Sequence, residues 1–334
     1  MSAAAAPVER VRARPFDAIV DWARRNAWIL SLLVLLVTLL VFTKAIQPRY
    51  GPAAIQGLGT SILPLALAAV AQAVVVIGGG IDLSIGSMMA LTSVVTATLM
   101  KGQSDEFGIA VVVGVLLLGL VLGGINGALV VSTRVPDIVV TLAMLYVWAG
   151  CALLVLAAPG GSAADWLKDL ASGSLISEWI PKSAVILIVI VTIVWIPLRR
   201  SRLGLAIYAV GSDRLAAFRS GVAVGRTKVI AYALGGLFAA FGGLALTASM
   251  GVGRPMLGGY TLMSIAAAVL GGVSLTGGRG GVFGPIVAVM ILSLLQTDIT
   301  LVGVNPNLAT VLQGAILIGV LMLGSITQFR RSRT

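Results

Sequence analysis

The feature that most constrains this chain is a series of continuous apolar runs, each close to the length that crosses a lipid bilayer. Two clear examples are Trp28 to Ile46 and Gly108 to Val131, and about 20 apolar residues suffice for a spanning helix. With 58% hydrophobic residues, 10% charged residues and a mean hydropathy of +1.07, the composition is not that of a soluble domain. Because membrane barrels use short alternating segments instead, the sequence predicts an all-α integral membrane protein.

We predict about ten transmembrane helices, some of them short or discontinuous, with the N- and C-termini in the cytoplasm. The predicted spans are 27–46, 57–77, 83–100, 108–131, 138–158, 183–198, 229–248, 262–275, 282–299 and 308–324. Most of the 23 basic residues then fall on segments assigned to the cytoplasm, where positive charge is retained.

The chain divides on this basis into a cytoplasmic N-terminal segment 1–26, a transmembrane domain 27–324 and a basic cytoplasmic tail 325–334. The first apolar run has no small-residue cleavage site before the next polar stretch. We therefore expect it to be a retained span and not a signal peptide.

Two loops between spans stand out by composition. Residues 159–182 are acidic and rich in glycine, which predicts an external loop or lid, whereas residues 199–228 carry seven basic residues against Asp213 alone and are predicted to be cytoplasmic. In the second loop, Ser212 is placed to cap a short helix that Gly221 ends. Such a helix fits two roles equally well, docking on a partner or resting against lipid headgroups.

A glycine-broken, acid-bearing stretch, Val76 to Ser87, interrupts the apolar pattern between the second and third spans. A helix that ends at Ile77 leaves carbonyls unpaired, and one that starts near Ser84 leaves amides unpaired. Asp82 fits two roles here: a cap on the new helix in a tight turn on the cytoplasmic side, or a polar constriction in a translocation path.

The same stretch supplies the predicted hinge. The glycines assigned to hinges or helix breaks are Gly78, Gly79, Gly80, Gly86, Gly271 and Gly272. Aligning Gly79 to Ser84 with Gly271 to Thr276 gives six positions of similar type, which suggests a weak internal repeat of parallel orientation.

Few polar side chains lie inside the predicted spans. The candidates for lining a substrate path are Gln72, Asp82, Ser84, Asn126, Thr141 and Gln296. Each has the alternative role of a hydrogen bond between neighbouring helices. Asp298 is expected to face the external surface, and Trp28, Trp179 and Trp195 are expected to anchor span ends at the membrane interface.

The chain lacks the parts of a catalytic site. It has no Gly-x4-Gly-Lys-[Ser/Thr] phosphate loop, no carboxylate pair in the spans and no nucleophile with a base. It has no histidine and a single cysteine, Cys151, which excludes His-based or multi-Cys metal sites and an intrachain disulfide. The net charge of +11 is assigned to cytoplasmic loops and not to a nucleic-acid surface.

Several motifs together resemble the ribose-type (simple-sugar) permease subunits of bacterial ABC importers. They are Gly79-Gly-Ile-Asp-Leu-Ser-Ile-Gly86; Val135-Pro136 with Val140-Thr141-Leu142; Leu203-Gly204 with Tyr208-Ala209-Val210-Gly211; Ala216-Ala217 with Ser220-Gly221-Val222; and Ile265-Ala-Ala-Ala-Val-Leu-Gly-Gly272 with Ser274-Leu275 and Gly277-Gly278. The resemblance extends from about residue 55 to residue 324.

The resemblance implies a multi-pass permease in the bacterial cytoplasmic (inner) membrane that provides the path for a monosaccharide or related polyol. It implies as partners a second permease copy or a paralogous permease, an extracytoplasmic solute-binding protein and two cytoplasmic ABC ATPase subunits. ATP and Mg would be bound by those ATPase subunits, and no cofactor by this chain. The implied ATPase-coupling helix comprises Ser212, Asp213, Arg214, Leu215, Ala216, Ala217, Phe218, Arg219, Ser220 and Gly221.

The chain departs from the family pattern at three places. Leu215 stands where Glu is frequent, Thr261 and Met263 stand where many members have acids, and Gly284-Pro285 replaces Gly-Thr. These changes fit one half of a heterodimer or a divergent subfamily. Two other functions remain open on the residues: a secondary transporter without an ATPase, and an ABC permease for a branched-chain amino acid.

Overall fold

The computed structural model describes residues 27–305 and, beyond them, residues 308, 311, 314, 315, 318 and 319. The predicted segment 1–26, the tail 325–334 and, apart from those six positions, the tenth span 308–324 lie outside the described residues. In the described part, all regular elements are helices, accompanied by two isolated β-bridges.

The helices in chain order are α1 (Ala27–Ile46), α2 (Pro52–Ile77), α3 (Ile85–Met100), α4 (Asp105–Thr133), α5 (Asp137–Val155), α6 (Asp165–Ala171), α7 (Lys182–Ile190), a π-helical turn (Val191–Trp195), α8 (Ile196–Arg200), α9 (Arg202–Ser212), α10 (Arg214–Arg219), α11 (Val224–Met250), α12 (Tyr260–Leu270) and α13 (Phe283–Leu301). Seven segments are long and apolar enough to cross a membrane, judged by length and composition: α1, α2, α4, α5, the continuous segment Lys182–Arg200, α11 and α13. The apolar helices α3 and α12 are shorter.

Each of the first nine predicted spans coincides with a helix, and the extent of one span and the content of two loops need correction. The eighth span, predicted as 262–275, ends at Leu270 because Gly271 and Gly272 turn the chain there. The segment 199–228 is not a loop around one short helix, since it holds α9, α10 and the start of α11. Residues 159–182 likewise contain a helix, α6.

The connections between helices collect at two ends of the molecule, as the alternating topology predicts. At one end, the Ile77 carbonyl accepts a hydrogen bond from the Gly278 amide (2.9 Å), and Lys228 pairs with Asp137 (2.7 Å). At the other end, residue 160 forms a β-bridge with residue 253, and the Ser162 amide donates to the Ala97 carbonyl (3.0 Å). Segments predicted to share a side therefore do meet.

Helix α2 forms the centre of the bundle. Every residue from Ile62 to Ile77 is buried, and the helix contacts α3, α7, α9, α11, α12 and α13. A helix that is apolar on all faces requires such complete enclosure. Helix α1 is peripheral by comparison and packs mainly on α13.

Helices α4 and α11 approach through glycine. Gly119, Gly123 and Gly127 recur every fourth residue on one face of α4, and a Cβ atom at Gly123 would overlap the Tyr232 carbonyl oxygen of α11. The approach is mutual, because a Cβ atom at Gly236 would overlap the Gly119 carbonyl oxygen. Small residues at this spacing let membrane helices pack backbone to backbone. We call this contact the glycine seam.

Replacing Gly123 with Ala is expected to destabilise the protein by about 1–3 kcal/mol, because the added methyl group has no room between the two backbones. Gly114→Ala is the matched control on the same helix, since a Cβ atom there meets nothing within 4 Å. The measurement is the unfolding temperature of each purified variant in detergent. Equal unfolding temperatures for the two variants would contradict the seam.

Candidate functional site

The predicted helix break after α2 is present and has a defined hydrogen-bonded geometry. Gly79 adopts φ +76°, its amide donates to the Val76 carbonyl (2.9 Å), and the Gly80 amide donates to the Val75 carbonyl (3.0 Å). This is the Schellman motif, which pairs the last carbonyls of a helix and favours glycine at the left-handed position.

Helix α12 ends in the same way. Gly272 adopts φ +85°, its amide donates to the Val269 carbonyl (2.9 Å), and the Val273 amide donates to the Ala268 carbonyl (3.0 Å). The two breaks are therefore equivalent in structure, but Gly79 corresponds to Gly272 and not to Gly271. The alignment made from sequence is one residue out of register.

Gly271 has a separate reason to be glycine. A Cβ atom on it would overlap the Pro285 nitrogen at the start of α13, so α12 and α13 meet here through their backbones. Pro285 lies in the first turn of α13, where a missing amide costs no intrahelical hydrogen bond. The Gly284-Pro285 departure from the family pattern thus fits the local geometry.

A buried polar cluster follows the first break. One carboxylate oxygen of Asp82 accepts from the Ser84 amide (2.8 Å) and the Ser84 hydroxyl (2.6 Å). The Asn126 amide nitrogen donates to the Ser84 hydroxyl (2.7 Å) and lies 3.3 Å from the other Asp82 oxygen. Trp148 donates to the Asn126 carbonyl oxygen (3.1 Å), and Asp82, Ser84 and Asn126 are fully buried. We call these four residues the Asp82 cluster.

The cluster shows how the third span starts. Ser84 is the N-cap residue of α3, but its side chain makes no capping bond to the helix. Asp82 instead accepts the amide of Ser84 itself, so the carboxylate supports the turn that precedes the helix. The predicted cap role of Asp82 therefore needs revision, because Ser84 takes the cap position and Asp82 bonds the Ser84 amide and not an amide inside α3.

Thr141 of α5 forms hydrogen bonds with the backbone of the same break. Its hydroxyl oxygen accepts from the Leu83 amide (3.1 Å) and lies 3.2 Å from the Ile81 carbonyl oxygen. Four of the six candidate path residues are therefore gathered around one break. The other two lie apart: Gln72 is buried in α2 without a hydrogen-bond partner for its side-chain amide in the described part of the chain, and Gln296 is exposed on α13.

A second polar group at this break is not among the residues predicted from the sequence. Lys228 of α11 forms an ion pair with Asp137 of α5 (2.7 Å), and the Tyr232 hydroxyl donates to the other Asp137 oxygen (3.0 Å). A Cβ atom at Gly80 would lie 2.7 Å from the Tyr232 hydroxyl and 2.9 Å from Asp137. Gly80 is therefore required for close approach, and the ion pair lies directly against the break.

Two more predicted residues have contacts that explain their identity. Gly86, assigned to a hinge, lies inside the first turn of α3, and its amide donates to the Thr261 hydroxyl (3.1 Å). Thr261, which replaces an acid of the family pattern, therefore satisfies an N-terminal amide of α3. Met263, the other replacement, is half-buried on α12.

Two expectations about membrane-facing residues are wrong, those for Asp298 and Trp195, and the position of Trp28 at the membrane interface stays a prediction. Asp298 does not face the external surface, since it is 4% exposed and accepts a hydrogen bond from Thr43 of α1 (2.7 Å). Trp195 is buried in the π-helical turn. Trp28 donates to the Leu270 carbonyl at the end of α12 (2.8 Å) and so ties α1 to the bundle.

The short helix in the basic segment is present as α10. Its N-cap is Asp213, whose carboxylate accepts from the amides of Leu215 (2.8 Å) and Ala216 (3.0 Å), and not Ser212, which is the last residue of α9. Gly221 ends the helix as predicted, with φ +82° and its amide bonded to the Phe218 carbonyl (3.0 Å). An aspartate here bonds the free N-terminal amides, and its negative charge is stabilised by the positive end of the helix dipole.

Helix α10 presents an apolar face that nothing in the described chain covers. Leu215 and Phe218 are 57% and 68% exposed, whereas Ala217 on the opposite side is buried. Large apolar side chains in a strongly basic, exposed segment are typical of a surface that contacts another molecule.

The Asp82 cluster yields a test of the carboxylate. In Asp82→Asn the new amide group would face the Asn126 amide, two donors without an acceptor, which costs about 1–3 kcal/mol in a buried site. Adding Asn126→Asp exchanges the positions of the amide and the carboxylate, so that a donor again faces an acceptor. The double variant is expected to recover most of the lost stability. Unfolding temperatures of the two single variants and the double variant measure this coupling, and a fully stable Asp82→Asn variant would reduce Asp82 to a replaceable cap.

Comparison with known proteins gives the family. The family model described as "Branched-chain amino acid transport system / permease component" matches residues 54–321. The autoinducer 2 import system permease protein LsrD of Escherichia coli is 30% identical over 316 residues, covering 92% of this chain and 94% of that protein, and LsrD of Shigella flexneri gives the same values. No solved structure matches. The chain therefore belongs to this family of transport-system permease components, which confirms the resemblance of its motifs to ABC importer permeases.

Proposed function

We propose that this permease forms the translocation path for a monosaccharide or related polyol in a binding-protein-dependent importer, driven by ATP hydrolysis on separate subunits. The observation that carries the ATP-driven mechanism is α10, a capped helix with exposed Leu215 and Phe218 within a basic segment. A secondary transporter has no use for such a docking helix. Membership in the permease family also favours an importer over a secondary transporter.

The end of the molecule that carries α10 is the cytoplasmic end in this proposal. The segments that meet there, including 199–228, hold nine of the fifteen basic residues in the described part of the chain, and positive charge resists translocation. The ATPase subunits, which would bind ATP and Mg, then contact the face of Leu215 and Phe218. The opposite end, where residues 159–182 pack on residues near 253, would receive the solute-binding protein.

In this proposal the path runs between the polar side chains near the break after α2, and their own hydrogen bonds would close it in this conformation. Asp82, Ser84, Asn126 and Thr141 are buried and bonded to one another or to the break, and Gln72 is buried with a side-chain amide that no residue of the described segments bonds. Sugar hydroxyl groups offer donors and acceptors that match such side chains when the helices part. A second permease copy or a paralogous permease would complete the path.

The ligand itself is selected by the binding protein. The names of the LsrD relatives make autoinducer 2 one candidate, and the description of the family makes a branched-chain amino acid the competing class. Calorimetric titration of the solute-binding protein that acts with this permease distinguishes them. Binding of a sugar or polyol is expected, and binding of branched-chain amino acids alone would overturn the substrate class.

Phe218→Asp is expected to detach the ATPase subunits or weaken their binding at least about tenfold, because a charge would replace an exposed apolar anchor. The matched control is Phe107→Asp, which changes an exposed phenylalanine in the first turn of α4, near the opposite end of the molecule. Co-purification of the ATPase with each tagged permease is the measurement. Retention of the ATPase by Phe218→Asp would count against docking through α10.

A further inference from the structure

Arg214 is the one residue of α10 whose side chain the structure ties to the helix break. It is the first residue of the helix, and its guanidinium group donates to the Gly79 carbonyl (2.9 Å). Gly79 is the left-handed residue of the Schellman motif at the end of α2. The carboxyl end of a helix carries partial negative charge, so a cation is favoured there. Arg214 is exposed like Leu215 and Phe218, but its guanidinium group is bonded to the Gly79 carbonyl, whereas the other two present apolar side chains that nothing in the described chain covers.

The corner between α9 and α10 is also in backbone contact with α2. A Cβ atom at Gly211 would overlap the Ile77 carbonyl oxygen, and one at Gly277 would lie 2.7 Å from the Gly211 carbonyl oxygen and 2.9 Å from the Gly79 Cα atom. Because backbones touch with no side chain between them, the corner cannot shift without displacing the end of α2. Packed interiors of this density transmit displacement and do not absorb it.

A second loop is fastened to the same corner. The Gly278 amide donates to the Ile77 carbonyl (2.9 Å), and the Tyr208 hydroxyl of α9 donates to the Gly280 carbonyl (2.7 Å). A tyrosine hydroxyl is protonated at neutral pH, and burial raises the pKa of Tyr208 further above its usual range. Helix α9 therefore joins the end of α2 to the loop between α12 and α13.

From Gly79 the contact continues toward the core. Gly80 lies against Asp137 and Tyr232, and two residues later the chain reaches Asp82 and its buried partners. Gly79, which Arg214 contacts, is therefore only three residues before Asp82, one of the polar residues proposed to close the path.

We infer that Arg214 is a positioning residue that transmits movement of α10 to the break at Gly79, and that it is not part of the surface that binds the ATPase. This inference depends on the proposed function, because it needs an ATPase that moves α10. It separates two tasks within one short helix: docking by Leu215 and Phe218, and transmission by Arg214.

The test uses the complete importer, reconstituted from the permease, its ATPase subunits and its ligand-loaded binding protein in liposomes. Arg214→Met keeps the length and apolar stem of the side chain and removes its donors. The expected result is normal co-purification of the ATPase together with a loss of transport of at least tenfold per ATP hydrolysed. Arg214→Lys, which keeps a cation, is expected to recover part of the transport.

Arg134→Met is the matched control. Arg134 is an exposed arginine at the C-terminal cap of α4, at the same end of the molecule and outside the segment 199–228, so its replacement removes one charge without touching the corner. Unchanged transport is expected. The monodispersity and unfolding temperature of all variants are measured beside transport.

Several outcomes would overturn the inference. Normal transport by Arg214→Met would remove the proposed role, and loss of the ATPase from Arg214→Met would make Arg214 a docking residue. Aggregation of both Arg214 variants would assign the side chain to fold stability. Failure of the proposed function is distinguishable, because Phe218→Asp would then also leave ATPase binding unchanged, or no ATPase would associate with the unmodified permease.

Discussion

A backbone that leaves a helix within a packed bundle has to find its hydrogen-bond partners inside the protein, because a buried amide or carbonyl group left unpaired costs free energy. The break after α2 meets this constraint residue by residue. The partners that contact its backbone come from α5, α10, α11 and the loop after α12: Thr141, Arg214, Tyr232 and Gly278. Elements far apart in the chain converge on this turn, and much of the packing at this end of the molecule follows from it.

Some of this could be predicted from the sequence because the signals are local. Three glycines before Asp82 predict a break, and a Gly at position 221 predicts a helix end, since only glycine takes the left-handed conformation without strain. The positions of the nine helices that coincide with predicted spans follow from apolar runs, seven of which are long enough to cross a membrane. The pairing of segments at each end follows from the alternation of those helices. Exposure of Leu215 and Phe218 follows from their spacing in a basic segment.

The parts that could not be predicted depend on contacts between distant residues. In the sequence Lys228 cannot be told apart from the other basic residues of segment 199–228. Only the fold shows that it pairs with Asp137, 91 positions earlier. Asp298 follows an apolar run near a span end, which fits a surface position. The fold instead gives it Thr43 of α1 as a hydrogen-bond donor. The sequence predicts Ser212 as the cap because nothing in it predicts α9, whose glycines and arginines are typical of a loop. Since α9 extends to Ser212, the cap position falls on Asp213. Local preference could not decide these positions.

The glycine seam between α4 and α11 has a consequence for how the protein is made. Helix α4 is complete at Thr133 and α11 begins only at Val224, so at ribosomal speed the face of α4 waits on the order of ten seconds for its partner. During that interval Gly123 exposes backbone to lipid or to the insertion machinery, and the turn beside Gly80 lacks Tyr232. The bundle therefore closes late in synthesis, and damage to the seam would reduce the amount of protein that escapes proteolysis before it altered transport by the molecules that mature.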